Sequence, residues 1–385
     1  MRDARNYADS HPIVRVSTKR LAASPFLDRY ATDDAMFGVY GGRLYALSLG
    51  DDPIEGYWRL RRGAALFDVP ERPLQVEGPD AARLLNLVLT RDVATLEPGR
   101  AGYGIACDAR GGILMDGVLM RLAPDRFWYV LADGDFVGWL EAHAIGLDVT
   151  IADPGSWVLQ VQGPASLDVL AAACDASAPE PFGYFAVAET RIADQPVIVS
   201  RTGWSAELGF EVYTLPGIDA GALWERLLAA GEPHGLAVQS LESLGIRRIE
   251  AGILDNGTDM GPHTTPFAAG LGRFVDLEKE NFIGRDALAG ADRRPRIFGI
   301  SGEGVPVPGT DVFHERSVAG RVTAGAWSPF LERGIGYALM HEPGAWAGRS
   351  VRLAGDDASS DLVELPFYDP ERAIPRGAPS DESSA

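Results

Sequence analysis

Apolar positions along the chain follow two rhythms. Short strand-like runs lie at 37–40 and 44–47 around a Gly41-Gly42 turn, at 127–131, at 197–199 and at 210–213. Helical spacing takes over from Ile54 to Arg62, where Ile54, Tyr57 and Trp58 share one side. It returns at 81–89, at 136–144 and at 220–230, the last with Asp219 as N-cap. A further helix over 243–252 is expected to end at Gly252.

One device occurs twice. Leu74-Gln75-Val76-Glu77-Gly78-Pro79 reads as a strand, a Gly-Pro turn and a helix start, with Asp80 near the helix N-terminus. Leu159-Gln160-Val161-Gln162-Gly163-Pro164 repeats it. The repetition predicts two related α+β modules. Between them, Tyr103 to Val118 reads as a hairpin turning at Arg110-Gly111-Gly112. Asp116 sits in its returning strand among Ile113, Leu114, Val118 and Leu119. It lies either on a solvated face or in a place where a buried carboxylate needs a partner.

The stretch from Ser200 to Tyr213 is the most suggestive. Two strands flank a bend that holds Gly203, Trp204, Glu207 and Gly209. The glycines allow unusual backbone angles or a close approach by a flat ligand. A carboxylate there can accept paired hydrogen bonds from an amino-heterocycle, or it is a solvated hairpin residue. Phe182, Tyr184 and Phe185 precede it and are either stacking groups or core. Asp255 to Met260, followed by Thr264-Thr265-Pro266-Phe267, is a polar loop of the length of a site lid. From about Phe282, strands such as 298–300 and 351–353 alternate with Gly/Pro turns, predicting a separate small β-barrel or sandwich. Residues 375–385 have the composition of a disordered tail.

Composition narrows the class. At 385 residues the chain calls for two or three domains. A net charge of −19 argues against nucleic acid and against anionic membranes as partners. No run is long enough to span a bilayer and no signal peptide is evident. Two cysteines, Cys107 and Cys174, build neither a disulfide scaffold nor a thiolate cage, which suits the cytoplasm. The six histidines show no metal spacing, and dinucleotide, Walker and serine-hydrolase motifs are absent.

Several stretches, in order, resemble the folate-dependent aminomethyltransferase superfamily, that is, glycine-cleavage T-protein and its relatives, including dimethylsulfoniopropionate demethylase. They are Leu66-Phe67-Asp68, Val76-Glu77-Gly78-Pro79-Asp80-Ala81, Gly111-Gly112-Ile113 with Asp116, and Arg201-Thr202-Gly203-Trp204 with Glu207 and Gly209. Ile249-Glu250-Ala251-Gly252, Asp259-Met260, Pro266 to Leu271 and Phe282-Ile283-Gly284-Arg285 complete the set. The resemblance implies an α+β fold of three domains in a disc around a central hole for tetrahydrofolate. The divisions expected are 1–50 with 145–280, then 51–144, then a barrel or jelly-roll-like domain over 281–374.

It further implies roles. Glu207 matches the carboxylate that grips the pterin, and Asp116 the acid nearest the reacting folate nitrogens. Tyr103 matches a tyrosine lining the site. Arg201, Trp204, Tyr184 and Phe185 fall on the cofactor side. Met115, Arg247 and His263 fall on the substrate side, His263 as a remote proton donor or an ordinary loop residue. Arg247 and Arg273 would meet a carboxylate of the donor or folate tail, or pair at the surface, Arg247 with Glu250 one turn away.

The chain also departs from the T-protein pattern. Met115 replaces the first of two acids, and Trp204-Ser205-Ala206 replaces Tyr-Thr-Gly. Leu244 and Gly245 stand at an Arg and an Asp, and Pro70-Glu71-Arg72-Pro73 takes the place of His-Met. The run 68–72 is more similar to the demethylase branch. The expectation is therefore methyl transfer from a small sulfonium, amine or aryl ether to N5 of tetrahydrofolate, by a monomer or homodimer and without a lipoyl carrier protein. Alternatives are an aminomethyltransferase making methylene-tetrahydrofolate and a folate-binding regulator without turnover. Glu207→Ala is expected to abolish folate binding with the fold intact.

Overall fold

A computed structural model of the chain describes residues 17–176, 182–356 and 358–378. The predicted periodicities become four sheets. Met36–Tyr40 and Arg43–Ser48 form the expected hairpin, which a short strand, Ala22–Ala23, extends. A six-stranded sheet runs in the order Val187–Ile192, Gln195–Ser200, Gly209–Thr214, Val158–Gln162, Ala65–Val69, Ala237–Val238. A five-stranded sheet runs Arg100–Cys107, Ile113–Ala123, Arg126–Leu131, Arg72–Glu77, Thr150–Ala152. Ile297–Gly302, Arg333–Met340, Ser317–Ser328, Asp311–His314, Ser350–Leu353 and Ser359–Val363 close into a barrel.

Strand alternation explains how the two large sheets meet. Leu66 packs under helices Ser166–Ala173 and Ala220–Gly231, while its neighbour Phe67 turns the other way. Phe127 and Tyr129 pack under helices Ala81–Val88 and Val137–His143, while Trp128 between them turns outward. Phe67, Trp128, Met120, Val158 and Tyr213 then share one cluster. Each sheet therefore buries one face on its own helices and the other on its twin.

The repeated Gly-Pro turn is one structure used twice. Gly78 and Gly163 have φ of 136° and 119°, in the region that disfavours side chains. A methyl group at Gly78 would meet the carbonyl oxygen of Asp148 at 2.5 Å, and one at Gly163 that of Gly63 at 2.4 Å.

Two boundaries differ from expectation. Strand Ala65–Val69 pairs with Val158–Gln162, so it belongs to the six-stranded sheet rather than to a unit starting at 51. Thr150–Ala152 pairs with Arg72–Glu77, so the five-stranded sheet extends past 144. The hydrophobic pattern marks strands but not their partners. The stretch expected to be tail also begins ordered: Ile374–Arg376 is a 3-10 helix. Residues 1–16 and 379–385 lie outside the described residues.

Candidate functional site

The edges of the two sheets, the 36–48 hairpin, helix Leu241–Glu250 and the 252–258 loop enclose a cavity of about 1310 Å³. Asp116, Glu207, Tyr103, Trp204, Tyr184 and Phe185 all line it. The 103–118 hairpin and the 200–213 bend, whose acids Asp116 and Glu207 are 91 positions apart (207 − 116), thus open on one hollow.

Asp116 faces the cavity because Met115 faces the helices. Met115 lies in the core of the five-stranded sheet, 2% exposed, and does not line the cavity. Alternation places the next residue on the opposite face. Asp116 is buried, so the solvated alternative falls. Its Oδ2 accepts from the Tyr103 hydroxyl at 2.6 Å and its Oδ1 from Asn256 Nδ2 at 2.9 Å. Burial pushes its pKa up to about 6, against the pull of those two bonds and with help from the charge of Asp255.

Glu207 is also buried. Its Oε1 accepts from Arg247 Nε at 2.7 Å, and Arg61 Nε stands 3.5 Å away. Burial opposes the charge of Arg247, yet Glu207, Tyr368 and Glu250 hold its pKa above the ordinary value. Among the described residues no hydrogen bond reaches Glu207 Oε2, which leaves an acceptor open on the cavity side.

The bend owes its shape to Gln162. A methyl group at Gly203 or Gly209 would meet the Gln162 amide at 2.1 and 2.2 Å. Gln162 Nε2 donates to Thr202 O at 3.2 Å, and its Oε1 accepts from Ser205 Oγ at 2.7 Å. These glycines therefore make room for the Gln162 side chain, and both also line the cavity. The residue with unusual backbone is Ala206, at φ 52°.

Other expected residues fall elsewhere. Arg201 donates to Phe182 O at 2.8 Å and to Pro375 O at 3.4 Å, and does not line the cavity. Phe182 stacks on Phe210 in the core. His263 is exposed outside the cavity. Arg247 is not a surface residue; it is buried with Glu207, and it keeps the local pair with Glu250 at 3.6 Å. Arg273 does line the cavity.

Sequence reasoning missed four groups. Asn256 lies on the loop singled out, but only the fold brings it to Asp116. Arg61 looked like one of two arginines at a helix end. Glu71, which lines the cavity, stood only as a departure from His-Met. Tyr40 and Tyr45 read as strand residues, and the hairpin carries them into the cavity wall.

The walls fit a folate. Glu207 Oε2 is an unfilled acceptor for an amino-heterocycle, Trp204, Tyr184 and Phe185 offer flat faces, and Arg273, Arg372 and Arg376 line the same hollow for an anionic tail. An acceptor of this kind, held in an α+β body that carries a separate closed β-barrel, points to a class, the folate-dependent one-carbon transferases.

The comparisons agree. The GCVT N-terminal domain matches residues 42–279, and the glycine cleavage T-protein C-terminal barrel domain matches 293–369. An aminomethyltransferase of Streptomyces coelicolor is 37% identical over 82% of this chain and 89% of its own. A trimethylamine-oxide aldolase of Ruegeria pomeroyi is 32% identical over 95% of this chain but only 49% of its own. The crystal structure of the glycine cleavage system aminomethyltransferase T from Bartonella henselae superposes with a TM-score of 0.81 at 28% identity, covering 90% of this chain and 98% of that one. The chain belongs to the glycine cleavage T-protein family. It is a tetrahydrofolate-dependent one-carbon transferase.

Proposed function

We propose that this chain moves a one-carbon unit at the oxidation level of formaldehyde from a nitrogen of its donor to tetrahydrofolate, leaving methylene-tetrahydrofolate. The observation that carries this reading is Asp116, a buried carboxyl raised to about 6 and braced by Tyr103 and Asn256. Such a group exchanges a proton readily near neutral pH. Methyl transfer from a sulfonium or ammonium expels a neutral group and calls mainly for alignment. Joining one carbon to two N–H groups sheds two protons; one goes to the departing amine and the other to the second group that leaves the carbon, a hydroxide departing as water or a second amine.

The relatives' names support the same level. An aminomethyl group is already there. The Ruegeria pomeroyi relative, of which this chain covers 49%, is a trimethylamine-oxide aldolase, a name that joins a methylated nitrogen to carbonyl chemistry.

Tetrahydrofolate, when bound, supplies the amine nitrogens that accept the carbon. In this reading Glu207 Oε2 takes the pterin N–H groups, and Arg247 and Arg61 fix that carboxylate and oppose the burial that raises its pKa. Trp204, Tyr184 and Phe185 cover the ring faces and exclude water. Asp116 accepts the released proton on a carboxylate oxygen and returns it to the leaving amine. Tyr103 and Asn256 hold that carboxyl in one orientation.

The test supplies tetrahydrofolate with N-aminomethyl or N-hydroxymethyl amines and, separately, with methylated sulfonium and ammonium compounds, and identifies the folate product by mass. Methylene-tetrahydrofolate from the first group is expected. Methyl-tetrahydrofolate from the second overturns the reading. Asp116→Asn is expected to cut turnover by roughly 10²–10⁴-fold while folate still binds.

A further inference from the structure

The cavity is electrically divided. Arg372, Arg376, Arg273 and Arg201 surround Tyr184, and Arg376 lies 5.7 Å over its ring. At Tyr40 the surroundings reverse: besides burial, the charges acting on its hydroxyl are those of Glu71, Asp255, Asp116 and Asp133. Tyr40 meets Tyr45 edge to face, with ring centroids 6.5 Å apart, and both line the cavity. Neither hydroxyl makes a hydrogen bond among the described residues.

Glu71 stands in this wall. Among the described residues no hydrogen bond from another residue reaches its carboxylate, and its Oε2 is sealed from solvent. The nearby cations are engaged elsewhere. Arg43 gives its Nη groups to the carbonyls of Glu71 and Ser156, at 2.9 and 2.7 Å, and lies 4.0 Å over Trp157. Arg248 pairs with Asp259 at 2.7 Å. Ionising this half-buried carboxyl costs free energy that Arg43, spent on carbonyl oxygens, offsets only in part, and a cationic ligand would supply the rest. Faces of two tyrosines beside it suit a methylated ammonium.

We infer that the Tyr40, Tyr45 and Glu71 end of the cavity binds the donor as a small, positively charged amine that carries no carboxylate of its own. This rests on the one-carbon reading above and names its donor class. Four acidic side chains around one hydroxyl favour a cation over an anion, so an amino acid or a betaine is disfavoured. Burial, the nearby Glu211 and the charge of Asp68 push Glu71 up to about 8, with Arg43 opposing. At neutral pH it is therefore largely protonated in the free protein, and a bound cation drives the proton off.

The experiment is calorimetric titration of the folate-free protein at pH 7 with tetramethylammonium, with trimethylglycine and with neutral neopentyl alcohol, in two buffers of different ionisation enthalpy. Tetramethylammonium is expected to bind at least tenfold more tightly than the other two and to release a fraction of a proton. Glu71→Gln should weaken it at least tenfold and abolish the release, with Tyr40→Leu as a second variant should Glu71→Gln fold poorly. Equal binding of the three probes, no binding of the cation, or unchanged binding in both variants overturns the inference. A parallel folate titration separates the two readings. Folate binding without cation binding sinks only this one, and absence of both sinks the function as well.

Discussion

Asp116 shows what single residues decide here. Its folded pKa of about 6 lies above the ordinary 3.8. The stability it contributes is therefore full below about 4 and is lost as pH rises through about 6. A shift of this size corresponds to about 3 kcal/mol. Asp116→Asn should gain on the wild type by up to that amount between pH 4 and 7 in urea melts. With Asp116 as the base, wild-type kcat/KM should rise with pH through about 6, and the Asn variant should lack that limb. A parallel pH dependence of stability in both proteins would remove the buried charge from the account. Glu207 corrects the expected outcome of its own removal. Glu207→Ala leaves the buried Arg247 and Arg61 sharing the single carboxylate of Glu250, so it should cost about 3–5 kcal/mol as well as folate affinity. The informative variant is Glu207→Gln, checked by melting before any titration.

Among the elements, helix Leu241–Glu250 does the most to shape the cavity. Gly245 lies in its interior and lines the hollow, and a methyl group there would meet nothing within 4 Å. Gly245→Ala should therefore stabilise the protein by about 0.5–1 kcal/mol. It should raise the donor KM if the donor uses that space, while leaving the folate KM in place. Gly163→Ala should do the reverse, costing about 2 kcal/mol or more because positive φ and the Gly63 carbonyl oppose a side chain together. Thermal unfolding of both variants checks the pair. The elements themselves were legible: the hairpins, the helices and the twin Gly-Pro turns follow from local pattern and turn chemistry. Pairing was not, because Ala65–Val69, apolar but for Asp68, carries no sign in its sequence of which sheet it joins. The same limit hid Glu71 and Asn256, whose importance comes from neighbours far away in sequence.

At the scale of the whole molecule, the barrel is wired to the site through one carboxylate. Glu250, fully buried at the end of the cavity helix, accepts from Tyr57 at 2.8 Å, from Ser328 of the barrel at 2.5 Å and from Tyr368 beyond it at 2.9 Å. Arg61 and Arg247, the two cations on Glu207, stand 3.9 and 3.6 Å from its Oε2. The anion expected to hold the pterin is thus fixed by arginines that a second anion fixes, and that second anion is fixed by the barrel. The sequence displayed a barrel but could not show this chain of charges. Ser328→Ala and Tyr368→Phe should each cost about 1–2 kcal/mol. Because both act on Glu250, the double variant should differ from the sum of the singles by more than about 0.5 kcal/mol. Folate affinity should fall in step with the loss, though neither side chain lines the cavity. A double variant that melts lower but binds folate as tightly as the wild type would make the barrel a mere buttress, with no share in positioning Glu207.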